Sequence, residues 1–312
     1  MSTYGSLVLT DTTYSGEAAG PFIRQAVVGA EIVDGGHVYV KDGIYKKYTI
    51  PRMSFDDMVQ DYAAKPVTSG ITTITGAVLE PERYMIYLEF DPQDFKDHWF
   101  APEMQSKLIG RSLPNTVEAG IITSVLEYHQ QYLGKAFIMS ATGGTAPYNK
   151  FGGFLQKALN DATVLDVAGV SATTLTSSNI VTELEKVYAK IPKALLFDPN
   201  YKLFVSYATA GLYSDYQIAQ TNKGVDVTSF GSMTYKGKKI VPLAFMRNNT
   251  IMGAKGTAGL DSNLWIGINS NEDATIQLGK LQANSDLWFV KILYAADTQF
   301  GFGSEVVLYY GA

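Results

Sequence analysis

The sequence predicts an α+β chain in which one long amphipathic helix follows an extended, hairpin-rich N-terminal third and precedes a C-terminal part built mostly of strands. The helix is the strongest signal. Val117, Ile121, Val125, Tyr128, Tyr132 and Ala136 recur at helical spacing, with Ile122, Leu126, Leu133 and Phe137 widening the stripe. Asn115 and Glu118 stand at capping-box spacing just after Pro114. Residues 115–140 make a rod on the order of 35 Å, roughly twice the usual helix. The strand-rich pattern beyond residue 238 is the second signal. Composition is the third: 18% of the 312 residues are charged, yet there are 20 Tyr and 15 Phe. Few charges and many aromatics suit a subunit with large permanent interfaces, although a tightly packed monomer with surface tyrosines has the same composition.

Residues 2–30 carry Gly5, Gly16, Gly20 and Pro21 among small polar residues and read as an extended arm with weak helical tendency. Val38 and Val40, then Ile44, Tyr45 and Tyr48, surround Asp42-Gly43, which signals a hairpin over 31–51. Ser54 and Asp57 suit the cap and third position of a short helix over 54–64. Residues 65–75 are rich in Gly and Thr, have little to bury, and are expected to project as a loop or hairpin. Tyr84, Ile86, Leu88 and Phe90 share one face of a half-buried strand over 77–90, and Asp91-Pro92 opens a helix reaching Phe100.

Beyond the long helix, Gly143-Gly144 and Gly152-Gly153 read as flexible connectors around Pro147. A helix opened by Ser178 puts Ile180, Leu184, Val187, Tyr188 and Ile191 on one stripe and stops at Pro192. Short buried strands are expected over 194–197 and 203–207, and a helix over 208–220. Further strands are expected over 240–245, 264–268, 274–278, 287–294 and 306–310.

The chain has no cysteine, which excludes disulfides, thiolate metal sites and cysteine nucleophiles together. A net charge of −5 argues against tight nucleic-acid binding over a broad face, but not against a wall that encloses nucleic acid. The first residues lack a basic stretch followed by an apolar run, so no signal peptide is expected, and no apolar run is long enough to span a membrane. His37, His98 and His129 fall in three separate elements, none at metal-site spacing; His129, beside Tyr128 and Tyr132, is expected to pack. Gly143-Gly144-Thr145 lacks the Gly-Lys-Ser/Thr ending of a phosphate loop, and no Gly-x-Ser-x-Gly elbow occurs. Residues 269–273 offer oxygen ligands without EF-hand spacing, so a turn is expected there. Lys236 to Lys239 flank Gly237 in a hairpin turn, where Lys238 and Lys239 meet either solvent or a neighbour's acidic loop. Catalytic, cofactor-binding and metal-binding residues are assigned to none, and a structural role is expected.

Several strings follow one another in a telling order. Residues 65–75 return through a strand to Phe95–Phe100 and the long helix, which ends at Gly143-Gly144. After Ile191-Pro192 comes Leu195-Leu196-Phe197-Asp198-Pro199-Asn200-Tyr201, then Tyr235-Lys236-Gly237-Lys238-Lys239-Ile240-Val241-Pro242. Asn263-Leu264-Trp265-Ile266-Gly267 and Phe289-Val290-Lys291 lead into the last strands. From about residue 54 onward this order resembles the major capsid proteins of tailed bacteriophages, the HK97-like capsid fold.

The resemblance implies an N-terminal arm and hairpin (1–53), an extended-loop region (54–95), a peripheral domain with a spine helix (96–150 and 276–312) and an axial domain (151–275). It implies a subunit that assembles with itself as pentamers and hexamers into an icosahedral head. That head would enclose DNA without sequence-specific binding, would be built in the host cytoplasm, and would need no cofactor, no membrane and no catalytic residue. Portal, head-tail connector, scaffold and decoration proteins are the further partners it implies. Lys65, Pro66, Ser69 and Ile71 in the projecting loop, with Lys238 and Lys239, are the candidate inter-subunit contacts. Some members of that family link an extended-loop lysine to an asparagine near the Phe-Val-Lys strand. Lys65 lies in a comparable region, but Ile292 follows Lys291 here, so no cross-link is expected. An encapsulin-like compartment shell and a β-rich surface binding protein are the alternatives.

Overall fold

The computed structural model of the chain describes residues 12–15, 27, 30–56, 59–62, 64–65, 71–91, 115–167, 174–219, 233–270, 275–282 and 287–311. In chain order its strands are β1 (Thr12–Ser15), β2 (Tyr39–Lys41), β3 (Tyr48–Asp56), β4 (Ile71–Leu79), β5 (Glu82–Phe90), β6 (Leu165–Asp166) and β7 (Tyr201–Ser206). They continue as β8 (Thr234–Tyr235), β9 (Lys238–Leu243), β10 (Thr250–Lys255), β11 (Leu264–Ile268), β12 (Thr275–Lys280), β13 (Trp288–Phe300) and β14 (Val307–Tyr310). The helices are α1 (Glu31–Asp34), α2 (Asn115–Met139), α3 (Phe154–Asn160), α4 (Ile180–Lys190) and α5 (Tyr207–Ala219).

The first sheet is organised by β13. Its N-terminal half pairs with β12 and with β5, and its C-terminal end pairs with β11, which carries β2 in parallel on its other side. Alternate residues Trp288, Val290, Ile292 and Tyr294 are buried and pack with Ile276, Leu278 and the long helix α2. In α2 the burial grows along its length. Tyr132, Leu133, Ala136, Phe137 and Ile138 are buried on several sides of the C-terminal turns, whereas Tyr128 is 60% exposed. The expected stripe holds at Ile121 and Ile122 as well as in the second half, but Tyr128 faces solvent and its neighbour His129 takes the inward position.

The second sheet runs β6-β14-β10-β7-β9-β8 and is covered on both faces. Leu203, Val205, Ile240, Ile251, Val307 and Tyr309 point to a core made with α4 and α5. Their neighbours Phe204, Val241, Met252 and Leu308 point the other way, into the core shared with α2. Each fully buried side chain of this kind contributes roughly 2 kcal/mol by leaving water. The strands cross the division expected from the resemblance: β11, from the axial stretch, pairs with β13, and β14, from the peripheral stretch, pairs with β10.

Several local expectations are corrected. No hairpin joins β2 to β3; β2 pairs in parallel with β11, and β3 pairs with β4. Gly43 does take a left-handed φ of 76°, but the turn redirects the chain between sheets. Residues 54–56, expected to begin a helix, extend β3, because each has a ladder partner at 71–73. Residues 193–195 form a single 3-10 turn in place of a buried strand, and Phe197 is 94% exposed. The strand β10 went unexpected. Gly153, read as a flexible connector, is a close-packing position: a Cβ there would lie 2.7 Å from the Ala136 carbonyl oxygen and 2.9 Å from that of Ile138. The segment around Pro147 is likewise tied down, its Tyr148 carbonyl accepting from the Ala141 N–H and the Ser140 hydroxyl. The helix expected after Asp91-Pro92 lies outside the described residues, as does His98.

Candidate assembly surfaces

The β3–β4 hairpin is a two-stranded sheet of nine residue pairs, from Tyr48 opposite Leu79 to Asp56 opposite Ile71. At about 3.4 Å per residue the ladder reaches about 27 Å. Its base is anchored: Ile50, Ala77 and Leu79 bury against Ile44 and Trp265. Glu80 N–H donates to the Asp297 carboxylate at 3.0 Å and Gln299 Nε2 to the Val78 carbonyl at 3.1 Å. Burial raises the Asp297 carboxyl above its usual range, and Lys157 at 3.6 Å opposes that shift. Beyond the ladder's far end, Val59 is 91% and Tyr62 is 97% exposed. Two-stranded hairpins are marginal alone in water, and isolated apolar side chains at such a tip bury nothing within the subunit.

A second surface lies between β5 and α2. Among the described residues β5 pairs with β13 alone, leaving its other edge open. Beside it is a groove of about 730 Å³ lined by Arg83, Tyr84, Ile86, Leu88, Val125 and Tyr128, among others. Its floor is fixed by hydrogen bonds: the Tyr84 hydroxyl donates to the Lys150 carbonyl at 2.9 Å, and that of Tyr132 to the Pro147 carbonyl at 3.0 Å. Tyr132 stacks on Tyr148, and the Lys135 ammonium sits 4.2 Å from the Tyr148 ring centre. Met85, Tyr87 and Leu88 are about half exposed, an apolar strip on an open strand edge.

The candidate contact residues separate. Lys65 is exposed near the hairpin's far end, and Ile71 opens β4 opposite Asp56. Pro66 and Ser69 lie outside the described residues. Lys236 and Gly237 form the expected turn, both at positive φ (46° and 79°). Lys239 is exposed, but Lys238 is not a solvated tip residue. It is 3% exposed, and its ammonium donates to the carbonyls of Leu195 at 2.9 Å and Asp198 at 2.7 Å. Alternation along β9 turns Lys238 inward, where it caps carbonyls of the 3-10 turn, so it is unavailable as an inter-subunit contact. Lys236 instead pairs with Glu185, whose carboxyl it holds low along with the Tyr235 hydroxyl. Ile292, at the family's asparagine position, is fully buried between Ile276 and Ile86.

His129 is fully buried against Tyr294, ring centres 4.2 Å apart, with neither nitrogen hydrogen-bonded; burial lowers it to about 4. No group of three metal-ligating side chains occurs among the described residues. Of the 269–273 stretch, Asn269 and Ser270 are buried and Ser270 bonds Asp42, while 271–273 lie outside the described residues. No described helix is long and apolar enough to cross a membrane. The sequence reading missed the groove. Its only trace was the run Tyr84-Met85-Ile86-Tyr87-Leu88, apolar on both faces of a strand that has cover on one.

No protein-family model and no curated protein matches the chain. Solved structures do. The capsid of an empty GTA particle matches with a TM-score of 0.62 at 12% identity, covering 91% of this chain and 90% of that one. The procapsid of satellite phage P4 matches at 0.59 with 9% identity, covering 92% and 97%. A virus-like particle from Pyrococcus furiosus matches at 0.52 with 9% identity, covering 94% and 98%. Near-complete coverage in both directions means that these chains share the whole architecture and not one motif. The chain has the HK97-like capsid fold.

Proposed function

We propose that this chain is a major capsid protein, the repeating subunit of a closed icosahedral shell that encloses a DNA genome. The observation that carries the reading is the β3–β4 hairpin, anchored at its base and carrying the exposed Val59 and Tyr62 beyond its far end. Such an element gains stability only by lying on another molecule. Copies of the chain each offer a groove and an open strand edge between β5 and α2 that can receive it. Repeated around symmetry axes, that contact closes rings, and pentamers and hexamers together close a shell. The fold shared with capsid chains supports the same reading. In this proposal the arm (1–53), the extended-loop region (54–95), and the peripheral (96–150, 276–312) and axial (151–275) parts act as assembly units. The subunit then works in the virion after assembly in the host cytoplasm, with portal, connector, scaffold or decoration proteins as further partners. It performs no chemistry, and Lys65 and Ile71 are the described candidates kept as inter-subunit contacts.

Light scattering and negative-stain microscopy of the purified chain test this. Megadalton particles or discrete rings are expected. A monomer that persists across protein and salt concentrations sinks the reading.

A further inference from the structure

Lysines in the second sheet are neutralised with one exception. Lys255 is 3.0 Å from Asp198 and 3.4 Å from Asp261, Lys236 pairs with Glu185, and Lys238 is held by two carbonyls. Lys202 and Lys239 are different. They are cross-strand partners in the parallel pair β7–β9, on strands about 4.8 Å apart, so their side chains leave the sheet together on the face of Phe204 and Val241. His37, arriving on the segment after α1, packs edge-on against Phe204 and places Nδ1 3.0 Å from the Lys202 ammonium.

An ammonium can only donate, so Nδ1 accepts and the imidazole proton sits on Nε2. The two ammoniums thus leave the sheet side by side, Lys202 held by Nδ1, while the Nε2–H lies on the far side of the ring against Gly35 and faces away from them. Among the described residues neither lysine forms an ion pair with a carboxylate. Glu31, the acid that α1 presents to this sheet, is taken by the Ala244 N–H and the Tyr207 hydroxyl. Like charges held side by side, in a subunit of net charge −5, are a standing cost that an anion relieves. The field is felt: burial and then Lys239 lower Lys202, and burial, Lys202 and Lys239 bring His37 to about 4.

We propose that Lys202 and Lys239 form a phosphate-binding site, with His37 positioning Lys202, and that in the assembled shell it holds backbone phosphates of the enclosed nucleic acid. The second half rests on the capsid reading. A phosphate group offers more acceptor oxygens than a carboxylate and can take both ammoniums at once. It binds locally and without sequence preference, as a wall of modest net acidity requires.

The test compares the full-length chain with Lys202→Met and Lys239→Met, folding being checked by circular dichroism and Lys202→Arg serving as charge-retaining control. Inorganic phosphate, against chloride at equal ionic strength and pH 7, should raise the wild-type and Lys202→Arg thermal midpoints by about 2 °C or more, and those of the Met variants by none. A fluorescent oligonucleotide should bind wild type with a log–log salt slope steeper by about 2 than the double Met variant. Equal phosphate gains in wild type and variants overturn the site. Phosphate gain with identical oligonucleotide binding overturns the nucleic-acid assignment and leaves a free-phosphate site only. Displacement of phosphate by poly-glutamate at equal concentration overturns the phosphate preference in favour of a second copy's carboxylate. Particle formation is scored separately by microscopy: a shell that forms without the phosphate effect sinks the site alone, and a phosphate effect without any shell sinks the capsid reading alone.

Discussion

The β3–β4 hairpin and the second sheet are both hydrogen-bonded ladders, and the hairpin has the longer strands, yet they differ in what their side chains bury. In the second sheet, Leu203 and Phe204 on neighbouring positions of β7 are both fully buried, one into the α4–α5 core and the other into the core of α2. In the hairpin the base residues Ile50, Ala77 and Leu79 find a small core, and the described residues past the far end are exposed. Backbone pairing is nearly neutral against water, and the net stability of a sheet comes from burial. One region is therefore finished within the chain, and the other, on the function proposed above, is finished only on another copy.

The largest expected effect comes from removing the hairpin's far end without disturbing its ladder. Asp56 and Ile71 are register partners, so an Asn-Gly turn in place of residues 57–70 closes the hairpin with matching twist. Particles should be lost completely, while far-UV circular dichroism and the unfolding midpoint of the subunit stay unchanged. Normal shells from this variant would show that the far end bridges nothing. Phe204→Ala is the mirror image. It opens a cavity where the sheet meets the α2 core and should cost about 3–5 kcal/mol in denaturant unfolding of the subunit. A cost below about 1 kcal/mol would mean that this face collapses freely and is not the finished region described here.

What the sequence makes legible follows the same divide. The helix α2 was readable because one side of it must stay wet, and periodicity survives wherever a face is exposed. The strand β10 was not readable, because Ile251, Met252 and Ala254 are buried on alternate faces and no alternation remains. The apolar run 194–197 imitated a strand. Pro192 and Asp198-Pro199 leave room between them for only one 3-10 turn, and Phe197 is left in solvent. At the candidate surfaces, a hairpin was one of the two readings of 65–75, and residues 71–75 do form part of one arm of the β3–β4 hairpin. The fate of Lys238 was not legible, because it is settled by carbonyls about forty residues away in sequence. The lysine pair and the histidine that holds it were invisible for the same reason, since Lys202 and His37 are 165 residues apart.

An intermediate effect is expected from acid. His129 has its folded value lowered to about 4 by burial, against an ordinary 6.5 in the unfolded chain. Between those values the unfolded chain binds the extra proton, so stability is complete above about pH 6.5 and falls as pH drops, by about 3 kcal/mol once below 4. His37 is shifted in the same direction and adds to the loss. His129→Leu should remove the His129 share, flattening the fall in unfolding free energy between pH 6.5 and 4 and leaving the His37 share. Identical pH profiles for wild type and variant would mean that the imidazole gains a partner or solvent on charging.

The smallest change in subunit stability is expected at the hairpin's apolar outpost. Tyr62 is almost wholly exposed, so Tyr62→Ser removes no contact within the subunit and should move its unfolding free energy by no more than about 0.5 kcal/mol. If the ring is instead buried on a neighbouring copy, losing it weakens each interface by about 1–2 kcal/mol. Because every subunit makes that contact, the protein concentration needed for shells should rise about tenfold or more, read by light scattering across a dilution series. Unchanged assembly would place Tyr62 in solvent even in the shell, and the bridging contact would then fall to Val59 and the ladder itself. A matching loss of subunit stability would place the ring on its own body, and the hairpin would no longer differ in kind from the second sheet.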